Sequence, residues 1–452
     1  MFVKDAKFYK TFISLTAGMA AQSILSFGVN LADNLMLGRY SETSIAAASL
    51  VNQIQYLLQM VSMSGIGMGA VAIISQYWGK GETEPIRRLI ALMMKFAAAA
   101  GLLFWAVTCF FPKTVLGLMT NQQAVLDESL VYMRVMCFTY LLYPPQSALV
   151  MAFRGVRSVR IGPIISAVSL LINVALNWVF IYGNLGAPEM GIKGAAISTL
   201  IARGAELLIA LAYARFFDKK LKLRLISFFR PDAFYLRDYS KAAFPVIASG
   251  ASWGFGTIMQ TVILAHLSES VIAANSVATV VFQIIGVYAL GASGTSGVMM
   301  GNAVGSGKKE LIRPYARTFQ LLFVINGLLT SLVLLLARDF IIGFYMLTPE
   351  TAQTARAFIS VLCVTVVFTA YEFPVESGII LGGGDTRYAF IVDTAFIWLW
   401  VLPLSALCAF VFKLPPVVTF IMLKSDQVLK CIPNGIVVNR FRWTRELTRE
   451  AK

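Results

Sequence analysis

Hydrophobic residues run along this chain in long uninterrupted stretches, and polar residues gather in the short intervals between them. A helix that crosses a bilayer needs about 20 consecutive apolar residues, and twelve stretches meet that length. These spans, numbered 1 to 12 in chain order, are predicted at residues 12–37, 45–77, 89–111, 130–153, 161–183, 193–217, 242–267, 271–304, 316–337, 353–381, 388–411 and 416–438. Their continuity indicates helices, because transmembrane β-strands alternate apolar and polar residues.

Composition places the chain in the same class. Of its 452 residues, 58% are hydrophobic and only 13% are charged, whereas soluble proteins carry about 25% charged residues. Such a chain has too few polar groups to cover a surface exposed to water. We therefore expect an all-α integral membrane protein. Span 1 is expected to remain as a membrane helix, because it is longer than the apolar region of a signal peptide.

The formal net charge of +15 is distributed by side of the membrane. Cations gather in alternate intervals, at Lys4, Lys7, Lys10, Lys80, Arg87, Arg88, Arg154, Arg157, Arg160, Lys219, Lys220, Lys222, Arg224, Arg230, Arg237, Lys241, Lys308, Lys309, Arg313 and Arg317. The positive-inside rule puts both termini in the cytoplasm and the protein in the inner (cytoplasmic) cell membrane. The expected partner of these cations is the lipid bilayer, and not nucleic acid.

The chain is an internal duplication. Residues 79–87 and 305–313, which lie 226 positions apart, share the pattern G-x-G-x-x-E-x-I-R. An even number of spans separates the copies, so they are parallel repeats related by a pseudo-twofold axis along the membrane normal. We predict an N-terminal six-helix lobe (1–217), a cytoplasmic linker (218–241), a C-terminal six-helix lobe (242–438) and a cytoplasmic tail (439–452). Rocking of one lobe against the other would give alternating access.

Several segments in a fixed order carry a family resemblance. They are NLADNLMLG at 30–38, NVALNWVFIYG at 173–183, MGIKGAAIST at 190–199 and GGGDTR at 382–387, followed by Asp393, Trp398 and Pro403. Together they resemble the multidrug and toxic compound extrusion (MATE) family of cation-coupled efflux antiporters, in its Gram-positive bacterial form. The resemblance implies a monomeric antiporter, not an enzyme. It would export a small organic solute, cationic or amphiphilic, in exchange for H⁺ or Na⁺ and without a cofactor.

Ionisable side chains inside a span are costly and so mark candidate sites. The resemblance puts a coupling carboxylate at Asp33 in span 1, with Asn173, Asn177 and Thr199 as its partners. Asn173 and Asn177 are one helical turn apart, so both amides can reach one point. Many family members have Asp where Asn177 stands. One carboxylate with neutral oxygen donors fits either Na⁺ at Asp33, Asn173 and Asn177 or a proton on Asp33. Asp33 as a helix-end cap stays an open alternative.

The second lobe has a different set of acids. Asp33 corresponds by the repeat offset to neutral Gln260. Glu372 and Glu376 share a helix face in span 10, and Asp393 follows in span 11, which suggests a proton or cation site. The alternative for Asp393 is a structural polar network with Trp398 and Arg387.

Substrate contacts are harder to assign. Polar and soft side chains within the spans are candidates for the lining of a cleft between the lobes. The candidates are Gln53, Gln260, Gln283, Met259 and Tyr288. Ordinary helix packing is the alternative for each of them.

Two other functions stay open. A flippase for lipid-linked precursors or polysaccharides, from a related branch of the superfamily, usually has more spans or a cationic cleft. A multispan membrane enzyme would need a catalytic cluster at one membrane face, and this chain has a single histidine. The sequence has no G-x-x-x-x-G-K-[ST] motif, so ATP is not the direct energy source.

Overall fold

The computed structural model describes residues 2–120, 122–223, 234–343, 345 and 347–449, and every regular element within them is helical. The middle of the predicted linker, with Arg224 and Arg230, lies outside the described residues, as do the last three residues of the predicted tail. The chain is thus an all-helical membrane protein, as its hydropathy pattern predicts.

Among the described residues, ten helices are long and apolar enough to cross a membrane. They match spans 1–3 and 5–11 and cover Ala6–Tyr40, Glu42–Lys80, Thr83–Phe110, Ile161–Tyr182, Ile192–Phe217, Leu236–Leu264, Ser270–Gly305, Lys309–Gly343, Pro349–Ile380 and Thr386–Val411. Most of these helices extend beyond the predicted spans by several residues, because polar residues can continue a helix past the apolar stretch.

Span 4 is a bent pair of helices, Gln123–Met136 and Thr139–Gly155, which meet at 53°. The second helix contains Pro144, which has no N–H to donate to the carbonyl of Tyr140 one turn earlier. Gly101 of span 3 packs against that carbonyl, where a Cβ would lie 2.6 Å from the oxygen. The glycine therefore lets span 3 approach the bent region closely.

Span 12 consists of three short helices, Pro416–Leu423, Ser425–Leu429 and Cys431–Arg440. Single residues, Lys424 and Lys430, separate them. Both interruptions fall at a lysine inside the predicted span.

Several spans contain π-helical turns, including Met60–Gly67 in span 2 and Val375–Ile380 in span 10. Turns of this kind occur frequently at functional sites. The turn in span 10 begins directly after Pro374, which removes one backbone donor from the helix. Glu376 lies within this widened turn.

The chain divides into two compact units. The N unit is Ala21–Ile74 with Glu82–Ile247, and the C unit is Met1–Ala20, Ser75–Gly81 and Ala248–Lys452. The start of span 1 and the end of span 2 thus belong to the C unit. For span 1 the reason is aromatic packing, since Phe8 and Phe12 lie 5.1 and 5.6 Å from Phe319 between ring centroids.

The end of span 2 is held in the C unit by residues 441–449, which we call the C-terminal strap. The Gln76 side chain donates to the carbonyl of Arg445 (3.1 Å) and accepts from the amide of Leu447 (2.8 Å). Lys80 forms an ion pair of 2.5 Å with Glu446. The amide of Arg445 donates to the carbonyl of Gly383 (2.8 Å), so the strap also fixes the turn between spans 10 and 11.

Candidate functional site

The four predicted coupling residues of the N unit form one hydrogen-bonded chain. Asn177 Nδ2 donates to Asp33 Oδ1 (2.5 Å) and to Asn173 Oδ1 (3.1 Å). Asn173 Nδ2 donates to Thr199 Oγ1 (3.3 Å). All four side chains are buried, and Asp33 is only 7% exposed. Spans 1, 5 and 6 therefore bring their polar residues to one point.

Asp33 lies within the helix Ala6–Tyr40, and its carboxylate bonds a residue of another span. This geometry is not that of a helix-end cap, which bonds its own backbone. In its buried position the Asp33 carboxylate accepts a hydrogen bond from the Asn177 amide in place of water.

The structure adds three residues to this region that sequence reasoning missed. Tyr132, which is buried, interacts with Thr199 through its hydroxyl group. Arg203 and Glu206 form a buried ion pair of 2.8 Å in span 6, and Arg203 also interacts electrostatically with Asp33. Arg203 and Glu206 could have been found from sequence, since both charges lie inside an apolar span at i, i+3 spacing.

Within this set of four hydrogen-bonded residues, one buried acceptor has no partner among the described residues. It is Asn177 Oδ1, on a side chain that is fully buried. A buried acceptor without a partner costs about 1–3 kcal/mol. With the Asp33 carboxylate it forms a set of oxygen atoms, the donor type that Na⁺ and other hard cations prefer. The residues present therefore fit a cation, and a proton on Asp33 would equally remove the buried charge.

The acids of the C unit surround a lysine. Lys430 Nζ lies 2.6 Å from Asp393 Oδ1 and 3.6 Å from Asp426 Oδ2. Ser249 of span 7 donates to the other oxygen of Asp393 (2.6 Å). Asp393 is thus held by groups from spans 7 and 12.

The predicted network of Asp393 with Trp398 and Arg387 is not what the structure shows. Trp398 Nε1 donates to Ser252 Oγ (2.9 Å), and among the described residues neither Trp398 nor Arg387 bonds Asp393. Spacing along span 11 suggested these partners, but a buried carboxylate pairs with the cation that reaches it, and Lys430 comes from span 12.

Glu372 and Glu376 are both buried and interact electrostatically with the same lysine. Glu376 Oε2 accepts from Asn434 Nδ2 (3.0 Å), and Asn434 Oδ1 accepts from the hydroxyl of Tyr388 (2.8 Å). The Glu372 carboxylate forms no hydrogen bond with any residue that the structure describes. Sequence reasoning named the glutamates but missed Asn434 and the central place of Lys430.

A family model identifies the protein. The model for the MatE family matches residues 19–179 and again 245–407, together more than half of the chain. The chain belongs to the MATE family. The two matches begin 226 positions apart, at 19 and 245, which is the offset of the repeated G-x-G-x-x-E-x-I-R segment.

Known MATE proteins resemble the chain over nearly its whole length. The probable multidrug resistance protein NorM of Thermotoga maritima is 22% identical over 446 residues, which cover 98% of this chain and 95% of that protein. The multidrug resistance protein NorM of Vibrio vulnificus is 25% identical over 404 residues, covering 87% and 85%. This MATE protein is therefore a multidrug efflux transporter by family, and not an enzyme.

Solved structures show the same fold. An outward-facing multidrug resistance MATE transporter of the MOP superfamily matches with a TM-score of 0.87 at 16% identity, covering 98% of this chain and 97% of that one. A MOP superfamily transporter from Pyrococcus furiosus, described as having a binding pocket of reversed polarity, matches with a TM-score of 0.86 at 16% identity, covering 97% of each.

The predicted substrate contacts of this MATE protein are spread over the molecule. Gln53 lies in the N unit, whereas Gln260, Gln283, Met259 and Tyr288 lie in the C unit. Gln53, Gln283 and Met259 are exposed side chains.

Tyr288 lines a small cavity in the C unit. Phe282, Asn326, Thr330 and Thr369 also line it, so the wall comes from spans 8, 9 and 10 and is mostly apolar. Of the five predicted substrate contacts, Tyr288 is the one that this cavity includes.

Proposed function

We propose that this MATE protein is a secondary antiporter that exports cationic or amphiphilic organic solutes in exchange for H⁺ or Na⁺. In this proposal Asp33 takes up the coupling ion. The observation that carries the proposal is the buried chain Asp33–Asn177–Asn173–Thr199 with its unpartnered amide oxygen. The protein would act as a monomer in the inner (cytoplasmic) membrane with both termini in the cytoplasm.

Asp33 places a charge in a medium that does not solvate it. A carboxylate inside a span is costly unless a cation, a proton or several donors compensate it. Asp33 accepts a short hydrogen bond from Asn177, a neutral donor. An arriving cation would gain the carboxylate and the free oxygen of Asn177 together.

Coupling requires that the ion bind one conformation better than the other, because a ligand shifts an equilibrium only by its differential affinity. The four residues of the site come from three spans. A change in the packing of these spans would separate the oxygen atoms. Ion binding is therefore able to favour one arrangement of the helices.

The acids of the C unit support a cationic cargo. Asp393, Asp426, Glu372 and Glu376 are buried or nearly so and share the single ammonium of Lys430. An excess of carboxylates in a low dielectric attracts cations and disfavours anions. This balance supports organic cations over the anionic lipid-linked precursors that a flippase would carry.

The test is transport in proteoliposomes with one gradient at a time. Purified protein is reconstituted, a fluorescent organic cation is supplied, and either a pH gradient or a Na⁺ gradient is imposed. We expect one of the two to drive transport and Asp33→Asn to abolish it. Asp127→Asn, a change of an exposed acid in span 4, is the matched control and should transport normally.

Two outcomes would contradict the proposal. Gradient-driven transport by Asp33→Asn at the wild-type rate would remove Asp33 from the coupling step. Movement of an anionic lipid precursor without a response to either gradient would favour the flippase.

A further inference from the structure

Lys430 lies within the acidic cluster of the C unit, which consists of Glu372, Glu376, Asp393 and Asp426. Its side chain is only 4% exposed, and its ammonium lies 2.6 Å from Asp393 and 3.6 Å from Asp426. Glu372 and Glu376 also interact with it electrostatically. The ammonium therefore occupies the position in this cluster that an exported cation would seek.

The acids of this cluster outnumber its cations. Four acidic side chains interact with one ammonium, and two of them, Asp393 and Asp426, contact it directly. Span 12 has a second lysine at its other interruption, Lys424, but its ammonium lies over the rings of Phe282 (4.8 Å) and Phe420 (5.7 Å). Lys424 also interacts with Asp426 over a longer range, without an ion pair among the described residues.

Glu372 is the part of the cluster that lacks a partner. Its side chain is 7% exposed, and the carboxylate forms no hydrogen bond within the described residues. A buried carboxylate without donors is costly and ready to accept a cationic ligand. A purely structural ion pair of Lys430 and Asp393 would not need this third and fourth acid.

We propose that Lys430 is a specificity-determining residue that competes, as an internal cation, with the exported cation for the Glu372 and Glu376 carboxylates. This inference rests on the proposed export of organic cations. The lysine keeps the affinity of the cluster low enough for the cargo to leave. The ammonium stays on Asp393 and Asp426, and its positive charge weakens the attraction of the two glutamates for a second cation.

The proposal predicts a gain of affinity when the competitor is removed. Lys430→Met keeps the stem and removes the charge. We expect purified Lys430→Met to bind tetraphenylphosphonium at least tenfold more tightly than the wild type, roughly the effect that one neighbouring charge has on an ionisable group. Binding is measured by calorimetry in detergent.

Matched variants separate competition from folding. Lys430→Arg keeps the charge and should bind like the wild type. Lys424→Met removes the other lysine of span 12 and should change affinity by less than twofold. Glu372→Gln in the Lys430→Met background should reverse the gain. An uncharged probe of similar shape, tetraphenylmethane made soluble by a neutral polar group, should bind all variants equally.

The binding results either support or overturn the proposed role of Lys430. Tighter binding by Lys430→Met that Glu372→Gln reverses supports the competitor role, even where the wild type binds too weakly to detect. Unchanged or weaker binding by a Lys430→Met protein that elutes as a monodisperse peak overturns it. Should Lys430→Met fail to fold, Lys430→Gln replaces it with the same two outcomes. Gradient-driven export by the wild type is measured separately, so failure of the antiporter proposal is recognised independently.

Discussion

The two units of this transporter contain buried acids in opposite surroundings. In the N unit, Asp33 is the single carboxylate of a chain of neutral amides and a hydroxyl. In the C unit, Asp393 and three other carboxylates surround Lys430. The duplicated scaffold thus has one site whose hydrogen-bond donors are neutral and another in which a lysine forms ion pairs with the acids. We infer that the first serves the coupling ion and the second the cargo.

The largest expected effect separates the two sites by transport. Asp33→Asn should reduce gradient-driven export by roughly 5- to 150-fold, the range of a typical coupling free energy between two ligands. Binding of tetraphenylphosphonium at equilibrium should stay within threefold of the wild-type value, because the proposed cargo site is in the C unit. The measurements are proteoliposome transport and calorimetry on the same preparation. Equal losses in both would contradict the division of roles.

The next effect concerns stability. Asp393→Asn leaves Lys430 without its closest partner, and breaking a buried ion pair costs about 3–5 kcal/mol. Asp33→Asn removes a charge from neutral donors and should change the unfolding free energy by about 1 kcal/mol. Denaturant unfolding in detergent micelles compares the two variants. Similar losses of stability would mean that Asp33 and Asp393 have equivalent surroundings.

A smaller effect distinguishes the two glutamates of span 10. Glu372→Gln changes a group without hydrogen bonds, so it should weaken tetraphenylphosphonium binding roughly tenfold and leave stability unchanged. Glu376→Gln also disturbs the bond to Asn434, and should cost about 1 kcal/mol of stability in addition. Unchanged transport of every cation by both variants would reduce the glutamates to structural residues.

The whole Asp33 chain was predicted from sequence, whereas only three acids of the Lys430 cluster were, namely Glu372, Glu376 and Asp393. Asn173 and Asn177 are one turn apart on one helix, and the family resemblance connected them with Asp33 and Thr199. Lys430 gathers acids from spans 10, 11 and 12, and no spacing rule joins residues on different helices. Lys430 lies inside predicted span 12, so a charge within an apolar span was the signal that could have marked it. Its burial depends on the packing of neighbouring spans.

The twelve apolar stretches predicted helices well, because length and continuity decide whether a segment can span a bilayer. They did not predict which face of a helix is buried. Gln53 and Gln283 lie exposed, although both were predicted to line a cleft. The bend of span 4 and the two interruptions of span 12 arise from proline and from tertiary contacts, which a hydropathy average does not record.

The smallest expected effect tests whether the cargo site depends on the C-terminal strap. Hydrogen bonding to Lys80 lowers the pKa of Glu446 below its ordinary value near 4.5. A lowered pKa means that the ion pair stabilises strap docking fully above pH 5 and that this contribution disappears as the pH falls through the folded-state pKa. The contribution is small because the Glu446 side chain is 57% exposed.

Hydrogen exchange of residues 443–449 between pH 7 and pH 3.5 should therefore speed up, beyond the intrinsic pH dependence, in the wild type but not in Lys80→Met. Because the strap bonds Gly383 beside span 11, its release should alter tetraphenylphosphonium binding in the C unit. Exchange at Asn173 and Asn177 should stay constant, and a parallel change there would show that the strap acts on both units.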